Sequence, residues 1–221
     1  MNFWFSNKHK KNFPEFWEEY LNSFENQTSK KKVEETRFVA FDTETTGFDY
    51  KNDRVLCIGA VAIQNMSIDV SDQLELYLEQ DVFNSETVEI HGIRKNHEYI
   101  RVHESDAIEM FLGFIQDAVL IAHHADFDRR MINSALQRQG LGTLKNRFLD
   151  TGVLFRKTKH QIYSRERKYN HYTLDELCDD LKISKSDRHT AAGDAFITAL
   201  AFLKIISKLK VKPTDVTSSL F

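Results

Sequence analysis

The chain has 221 residues, a formal net charge of −3 and a hydrophobic fraction of 41%. This length suits one ordinary domain with extensions, and the apolar fraction is sufficient for a hydrophobic core. The negative net charge argues against a protein that coats duplex nucleic acid, although it is compatible with a local basic groove. No apolar run reaches the length of a membrane span, so we expect no membrane association.

Cys57 and Cys178 lie far apart from each other in the sequence, each in an apolar stretch. This is typical of buried free thiols in a reducing compartment, and the predicted localisation is cytoplasmic.

Residues 1–35 are predicted to form an N-terminal amphipathic helical extension followed by a linker. Apolar side chains from Phe13 to Phe24 recur at helical spacing, and Pro14 suits the first turn of a helix. Such a stripe favours a helix that docks on the main domain. A helix that binds a partner or a membrane surface is the alternative.

The main domain is predicted over residues 36–209, where strands alternate with helices. Three strands come first, Phe38–Phe41, Val55–Ile63 and Leu74–Leu78, and the short turns between them predict an antiparallel meander. The later elements are, in chain order, a helix over Ala107–Ile115, a strand over Ala118–Ala122, a helix around Met131–Leu136, a strand over Arg147–Asp150, a helix after the capping box Thr173–Glu176 and a helix over Ala191–Leu209. This order predicts an α/β fold with a mixed five-stranded sheet and helices on both faces.

Acidic residues recur at the ends of the predicted central elements. Asp42 and Glu44 stand two residues apart on the first strand and therefore on the same face. Asp128 follows the fourth strand, and Asp194 lies in the first turns of the last helix. The carboxyl ends of strands meet at one edge of an α/β sheet, so these side chains can converge. Adjacent anions repel each other, and an all-carboxylate set without nearby thiolates favours Mg²⁺ or Mn²⁺ over zinc.

His189 stands five residues before Asp194. If the last helix begins near Ala191, His189 lies on the incoming loop and can lean over the carboxylates. An imidazole in that place can act as a general base near neutral pH. A helix cap or an ordinary surface residue is the alternative for a lone histidine at a helix start.

Three segments together resemble the motifs of the DnaQ-like DEDDh 3′–5′ exonuclease family. They are Asp42-Thr-Glu-Thr-Thr-Gly47, His123-His-Ala-Asp-Phe-Asp128 and His189-Thr-Ala-Ala-Gly-Asp194, with weaker landmarks at His91–Ile93 and Tyr172–Leu177. The resemblance covers residues 36–209 and implies an RNase H-like fold and hydrolysis from a 3′ end to nucleoside 5′-monophosphates. The second motif departs from the family pattern, since His124 replaces the usual Asn. Asp126 falls on a variable position, which makes Asp128 the expected ligand.

The resemblance and the residues imply the same mechanism. Two divalent ions activate the attacking water and stabilise the leaving 3′ oxygen. Asp42 is expected to bridge both ions, Glu44, Asp128 and Asp194 to complete their ligand shells, and His189 to take the proton from the water.

The leading interpretation is a single-stranded DNA exonuclease in proofreading or repair. The alternatives are an RNA exonuclease resembling ribonuclease T or oligoribonuclease and, more remotely, a non-catalytic polymerase adaptor. An adaptor has no physical need for a repulsive acidic cluster.

The segment from Arg156 to Lys168 is basic and carries Tyr163. Positive charge with interleaved aromatic residues suits a single strand, although a solvated loop has the same composition. The loop around His91 is expected to flank the terminal nucleotide, as it does in the family. The predicted substrate contacts are Thr45, His91, Ile93, His124, Arg165, Arg167 and Lys168.

Residues 210–221 are predicted to form a flexible C-terminal tail. Pro213 disfavours continuing the long helix, and the chain ends on Leu220 and Phe221. The tail either folds back onto its own domain, frays, or anchors a partner. Ser219 to Phe221 resembles the last part of the motif with which bacterial replication proteins bind the sliding clamp, with Thr217 in place of the usual Gln. The expected partners are therefore 3′ ends of single-stranded nucleic acid, with a polymerase or the sliding clamp as further candidates.

Overall fold

The computed structural model describes residues 13–25, 28, 30–81, 88, 92–93, 99–159 and 172–221. The strands are β1 Phe38–Thr45, β2 Val55–Gln64, β3 Ser67–Leu78, β4 Arg101–Val102, β5 Val119–Ala122 and β6 Phe148–Asp150. The helices are α1 Glu15–Asn22, α2 Glu104–Ile115, α3 Ala125–Arg138, α4 Thr151–Lys157, α5 Leu174–Leu181 and α6 Ala191–Lys208, with a 3-10 helix over Thr217–Leu220.

The strands form one mixed sheet in the order β4-β3-β2-β1-β5-β6. Strands β1, β2 and β3 are an antiparallel meander, whereas β5 and β6 join parallel to β1. The predicted α/β fold with a mixed sheet is confirmed. The sheet has six strands rather than the predicted five, because β4 adds a two-residue edge strand parallel to β3. Two residues are too few to show the alternation of a strand in the sequence.

Helix α4 was also not predicted. It follows β6 without a connecting loop, and Asp150 ends the strand and caps the helix by accepting a hydrogen bond from the Val153 backbone N–H at 2.9 Å. The capping box that begins α5 is present as predicted, with the Thr173 and Glu176 side chains each bonded to the other residue's backbone.

Alternate residues of β1 supply two separate hydrophobic cores. Val39 and Phe41 pack in the core with α1, α2 and α3, whereas Phe38 and Ala40 pack in the core with α5 and α6. Because the strand period is two, Asp42 and Glu44 lie on the α6 side of the sheet. Thr43 lies on the α3 side.

The start of α6 lies directly against β2 at Gly59. Gly59 is the cross-strand partner of Asp42. A Cβ atom at this position would lie 2.2 Å from the carbonyl carbon of Ala191 and 2.3 Å from the backbone N of Ala192. Only glycine permits this approach, and it brings Asp194 in the first turn of α6 next to β1.

The N-terminal helix docks on the main domain. This is the first of the two alternatives that its apolar stripe allowed. Trp17 and Tyr20 are buried against the core that contains α2 and α3. The Tyr20 hydroxyl donates to Asn146 Oδ1 at 2.6 Å and accepts from the backbone N–H of Lys145 at 2.8 Å. This face of the helix therefore belongs to the core. Within the described residues, no helix combines the length and the hydropathy needed to cross a membrane.

The C-terminal residues, which we expected to be flexible, pack against the domain. The backbone N–H of Thr217 donates to the carbonyl of Lys31 at 2.9 Å, and the Thr217 and Thr36 hydroxyls are hydrogen-bonded at 2.6 Å. Leu220 is 3% exposed, whereas Phe221 is 44% exposed beneath the guanidinium of Arg147. The pocket for Leu220 is built from residues distant in sequence, so the composition of the tail alone does not reveal it.

Candidate active site

Three carboxylates from two elements converge at the junction of β1 and α6. Oxygen atoms of Asp42, Glu44 and Asp194 all lie within 4.8 Å of one another. The strand period places Asp42 and Glu44 side by side. Thr190 fixes the beginning of α6, since its side chain accepts a hydrogen bond from the Gly193 backbone N–H at 3.1 Å. Asp194 is therefore held in the first helical turn.

Asp128 lies beside this cluster and is hydrogen-bonded to Thr43 of β1. It is 3% exposed in the first turn of α3. Its Oδ1 accepts hydrogen bonds from the Thr43 hydroxyl at 2.7 Å and from the Thr43 backbone N–H at 3.1 Å. Thr43 thus orients Asp128, a role that the sequence analysis missed. The available signal was its position between two acids, with its side chain directed to the other face.

Burial and mutual repulsion make these carboxylates unusually basic. Burial raises the pKa of Asp42 well above its ordinary range, and the charges of Asp128, Asp194 and Glu44 raise it further. Burial, followed by the charges of Asp194 and Asp128, raises the pKa of Glu44 to about 7. Burial also raises the pKa of Asp128 to about 7, although the hydrogen bonds from Thr43 oppose this. The site therefore gathers more negative charge than it can stabilise by itself.

The chemistry of the site fits a hard divalent cation. Oδ1 of Asp194 is buried and has no hydrogen-bond partner among the described residues, so one acceptor oxygen of these carboxylates is unsatisfied. Carboxylate oxygens are the ligands that Mg²⁺ and Mn²⁺ prefer. Cys57 lies close to the acids, since it is the cross-strand partner of Glu44. Burial raises the pKa of the Cys57 thiol, so it stays protonated and is a poor metal ligand.

Arg188 is a second residue that the sequence analysis missed. Its Nη1 donates to Asp194 Oδ2, and its Nε donates to Asp175 Oδ1 of α5 at 2.8 Å. Its positive charge lowers the pKa of Asp42 and of Glu44, against the effect of burial. The signal in the sequence was a cation directly before the candidate base, but its acidic partner in α5 is visible only in the fold.

His189 lies on the loop that enters α6, as its place before Ala191 predicted. Its backbone has φ 68°, in the left-handed region, and its side chain is exposed. Helix α6 begins at Ala191. The role of His189 as a general base remains a prediction.

The two adjacent histidines of the second motif differ in environment. His123 is buried, with Nδ1 hydrogen-bonded to the Thr151 hydroxyl at 2.8 Å and Nε2 to the carbonyl of Tyr172 at 2.7 Å. The carbonyl requires a proton on Nε2, and burial lowers the pKa of His123 to about 4, so the ring is neutral. His124 is exposed, precedes α3 with φ 61°, and lines a recess of about 300 Å³ with Phe127 and Arg156.

Two of the other predicted substrate contacts lie within the described residues, and their role towards a substrate stays a prediction. The Thr45 hydroxyl donates to the carbonyl of Gly47 at 2.7 Å and so holds the turn after β1. Ile93 is 7% exposed and packs with Cys57 and Ala191. The remaining contacts, His91, Arg165, Arg167 and Lys168, lie outside the described residues.

Comparison with known proteins places the chain in a family. A family model described as Exonuclease (RNase_T) matches residues 39–202, which include all four carboxylates and His189. The PolC-type DNA polymerase III of Caldanaerobacter subterraneus subsp. tengcongensis is 33% identical over 177 residues, 80% of this chain and 12% of that protein. The Clostridium perfringens PolC-type DNA polymerase III is 32% identical over 174 residues, 78% of this chain and 11% of that protein. The chain thus spans only a small part of these curated relatives.

Solved structures share the fold. Exonuclease X in complex with 5′ overhanging duplex DNA has a TM-score of 0.60 at 19% identity, covering 84% of this chain and 99% of that one. Escherichia coli Exonuclease I in complex with a dT13 oligonucleotide has a TM-score of 0.64 at 17% identity, covering 78% of this chain and 41% of that one. At these identities the likeness concerns the fold, and it confirms the RNase H-like architecture. Together with the family match it establishes that the chain belongs to the DnaQ-like exonuclease family and is an exonuclease.

Proposed function

We propose that the chain is a 3′–5′ exonuclease that hydrolyses single-stranded DNA to nucleoside 5′-monophosphates by a two-metal-ion mechanism, in proofreading or repair. One observation carries this proposal. Oxygen atoms of Asp42, Glu44 and Asp194 lie within 4.8 Å of one another, and Thr43 holds Asp128 beside them. A partly buried set of repelling acids is destabilising unless a cation is bound, and such sets cluster at functional sites.

Asp42, Glu44, Asp128 and Asp194 would hold two Mg²⁺ or Mn²⁺ ions. When bound, these ions supply positive charge to the attacked phosphate and to the leaving oxygen. The protein supplies the rest. Thr43 fixes the orientation of Asp128, the contact of α6 with Gly59 fixes the distance of Asp194 from β1, and the cores on both faces of the sheet keep these elements rigid.

His189 would act as the general base that takes the proton from the attacking water. Histidine is suited to this role because it exchanges a proton near neutral pH. His189 is exposed on the loop before α6 and follows Arg188, which contacts Asp194. In this place it could face a bound strand without being a metal ligand.

The single strand would meet an aromatic surface beside the carboxylates. Phe48, in the turn after β1, is 81% exposed, and its ring centroid lies 5.9 Å from that of Phe127, next to Asp128. Such a pair offers a face for base stacking, a contribution of about 1–3 kcal/mol per base. We further propose that Thr45, His91, Ile93 and His124 flank the terminal nucleotide and that Arg165, Arg167 and Lys168 contact the phosphate backbone.

DNA is favoured over RNA as the substrate because the relatives in the comparison are DNA polymerases. The same resemblance makes a polymerase the preferred partner. Binding to a sliding clamp through the C-terminus would require Leu220 to leave the pocket in which it is 3% exposed. The buried free thiols of Cys57 and Cys178 are consistent with a cytoplasmic location.

The test is a time course on matched DNA and RNA single strands, labelled at either end, with Mg²⁺, Mn²⁺ or EDTA. We expect the 3′ label to be released first as a mononucleotide and the 5′-labelled DNA to shorten in single steps, with no reaction in EDTA. Release of the 5′ label first, or internal cleavage, would refute the proposed direction. A faster reaction on RNA would favour the RNA exonuclease instead.

A further inference from the structure

The guanidinium of Arg188 connects a carboxylate of the active site to a carboxylate of α5. Nη1 donates to Asp194 Oδ2, and Nε donates to Asp175 Oδ1 at 2.8 Å. The Arg188 side chain is 14% exposed, and the Asp194 side chain is 9% exposed. Arg188 is therefore a largely buried cation in direct contact with one of the proposed metal ligands.

The turn that carries Arg188 is fixed on the first turn of α6. The Thr190 hydroxyl donates to the carbonyl of Asp187 at 3.1 Å and accepts from the Gly193 backbone N–H at 3.1 Å. A Cβ atom at Gly193 would lie 1.9 Å from the Asp187 carbonyl oxygen. This packing turns Arg188 towards the carboxylates and leaves His189 exposed.

The two oxygens of Asp194 are in different environments. Oδ2 accepts the hydrogen bond from Arg188, whereas Oδ1 is buried and has no partner among the described residues. Arg188 thus neutralises part of the acidic cluster and still leaves one oxygen of Asp194 for another ligand. A divalent cation at Oδ1 would neutralise the same carboxylates and would also be repelled by the guanidinium.

We infer that Arg188 is an internal counter-cation that holds Asp194 when the site contains no metal and lowers the affinity of the site for divalent cations. This inference rests on the metal site of the proposed function. When two cations neutralise the same carboxylates, each lowers the binding free energy that the other gains from them, and this coupling is reciprocal. Arg188 is a positioning residue in this account, because it acts through Asp194.

The test compares Mn²⁺ binding, by calorimetric titration at pH 7.5, with the melting temperature of the protein in EDTA. We expect Arg188→Gln to bind Mn²⁺ about 5- to 150-fold more tightly than the wild type, the usual range of coupling between two ligands. Its metal-free form should melt at a lower temperature. Arg188→Lys should restore both values towards the wild type. The control is Lys185→Gln, which removes an exposed cation paired with Asp179 at 2.7 Å, close by in the chain, and should change neither.

The outcomes separate this inference from the proposed function. If the wild type binds no Mn²⁺, the metal site and the inference are both wrong. If the wild type binds Mn²⁺ and Arg188→Gln binds it equally or more weakly, only the inference fails, because a purely structural role for Arg188 predicts weaker binding. If Arg188→Gln is unfolded in EDTA, saturating Mn²⁺ should restore its fold, since the metal replaces the lost charge. Failure to fold in Mn²⁺ would equally overturn the inference.

Discussion

Gly59 sets the distance between β1 and α6, the two elements that carry three of the proposed metal ligands, and Gly59→Ala tests this arrangement. Gly59 faces Asp42 across the β1–β2 ladder and lies under the first residues of α6. An added methyl group would lie 2.2 Å from the carbonyl carbon of Ala191, whereas ordinary contacts begin at 3.4 Å. The neighbouring atoms are backbone, so no side-chain rotation can relieve the clash. The start of α6 must move away from β2 by about 1 Å.

This movement has consequences for both stability and activity. Overpacking of this kind costs about 1–3 kcal/mol, and each kcal/mol lowers the melting temperature of a chain of this size by roughly 2–4 °C. Asp194 moves with α6 and away from Asp42 and Glu44. A displacement of about 1 Å in a catalytic constellation reduces the rate by about 10²-fold. We therefore expect a folded protein with a modestly lower melting temperature, weaker Mn²⁺ binding and a large loss of rate.

The assay measures the initial rate on a labelled DNA single strand, with Mn²⁺ titration and thermal melting on the same preparation. Gly113→Ala is the matched control, because Gly113 lies within α2 and an added Cβ there meets nothing within 4 Å. The control should be neutral or stabilising by up to about 1 kcal/mol and should retain wild-type activity. If Gly59→Ala retains the wild-type rate and Mn²⁺ affinity, the position of α6 does not determine the site, and the argument is refuted.

Three further predictions concern the general base, the orientation of Asp128 and pH. His189→Ala should keep its Mn²⁺ affinity and lose about 10²- to 10⁴-fold in rate; a rate within about twofold of the wild type would remove His189 from the mechanism. Thr43→Val removes the 2.7 Å hydrogen bond from the Thr43 hydroxyl to Asp128. The pKa of Asp128 should therefore rise, and the acid limb of the pH–rate profile should move to higher pH. Thr43→Ser keeps the hydroxyl and should keep the wild-type profile. In EDTA, the melting temperature should decrease as the pH is raised from about 6.5 to about 8.5. The reason is that the pKa values of Glu44 and Asp128 are raised to about 7 in the folded state. Over this pH range the folded state loses protons that the unfolded state has already lost. His123, whose pKa is lowered to about 4, has the opposite effect, mainly below this range, and a melting temperature that rises across it would contradict the carboxylate assignment.

The sequence was informative wherever local pattern and chemistry coincide. The apolar run of Phe38 to Phe41 marked a buried strand, and the acids after it needed only the strand period to be placed on one face. Asp194 was placed in the first turns of the last helix by the apolar pattern that starts at Ala191, where the helix does begin. These features depend on neighbours within a few residues, which is the range over which periodicity and capping operate.

Features that depend on distant residues were not predictable in this way. Arg188 has its outer partner, Asp175, in a different helix, so only the fold shows that the two acids share one guanidinium. The antiparallel ladder places Cys57 opposite Glu44, a pairing that its position in an apolar stretch does not reveal. The burial of Leu220 depends on packing against elements far away in the chain. Tertiary contacts of this kind leave no periodic trace in the local sequence.

The most direct measurement of the central claim is the rate at which Asp42→Ala degrades a 3′-labelled DNA single strand, with Mn²⁺ binding followed on the same sample. Asp126→Ala is the control, because Asp126 is an exposed acid of the second motif that pairs with Arg129 and Arg130 at the surface. We expect Asp42→Ala to remain folded and to lose Mn²⁺ binding and nearly all hydrolysis, while Asp126→Ala keeps both. An Asp42→Ala protein that degrades the strand at the wild-type rate would contradict the assignment of the four carboxylates as the catalytic centre.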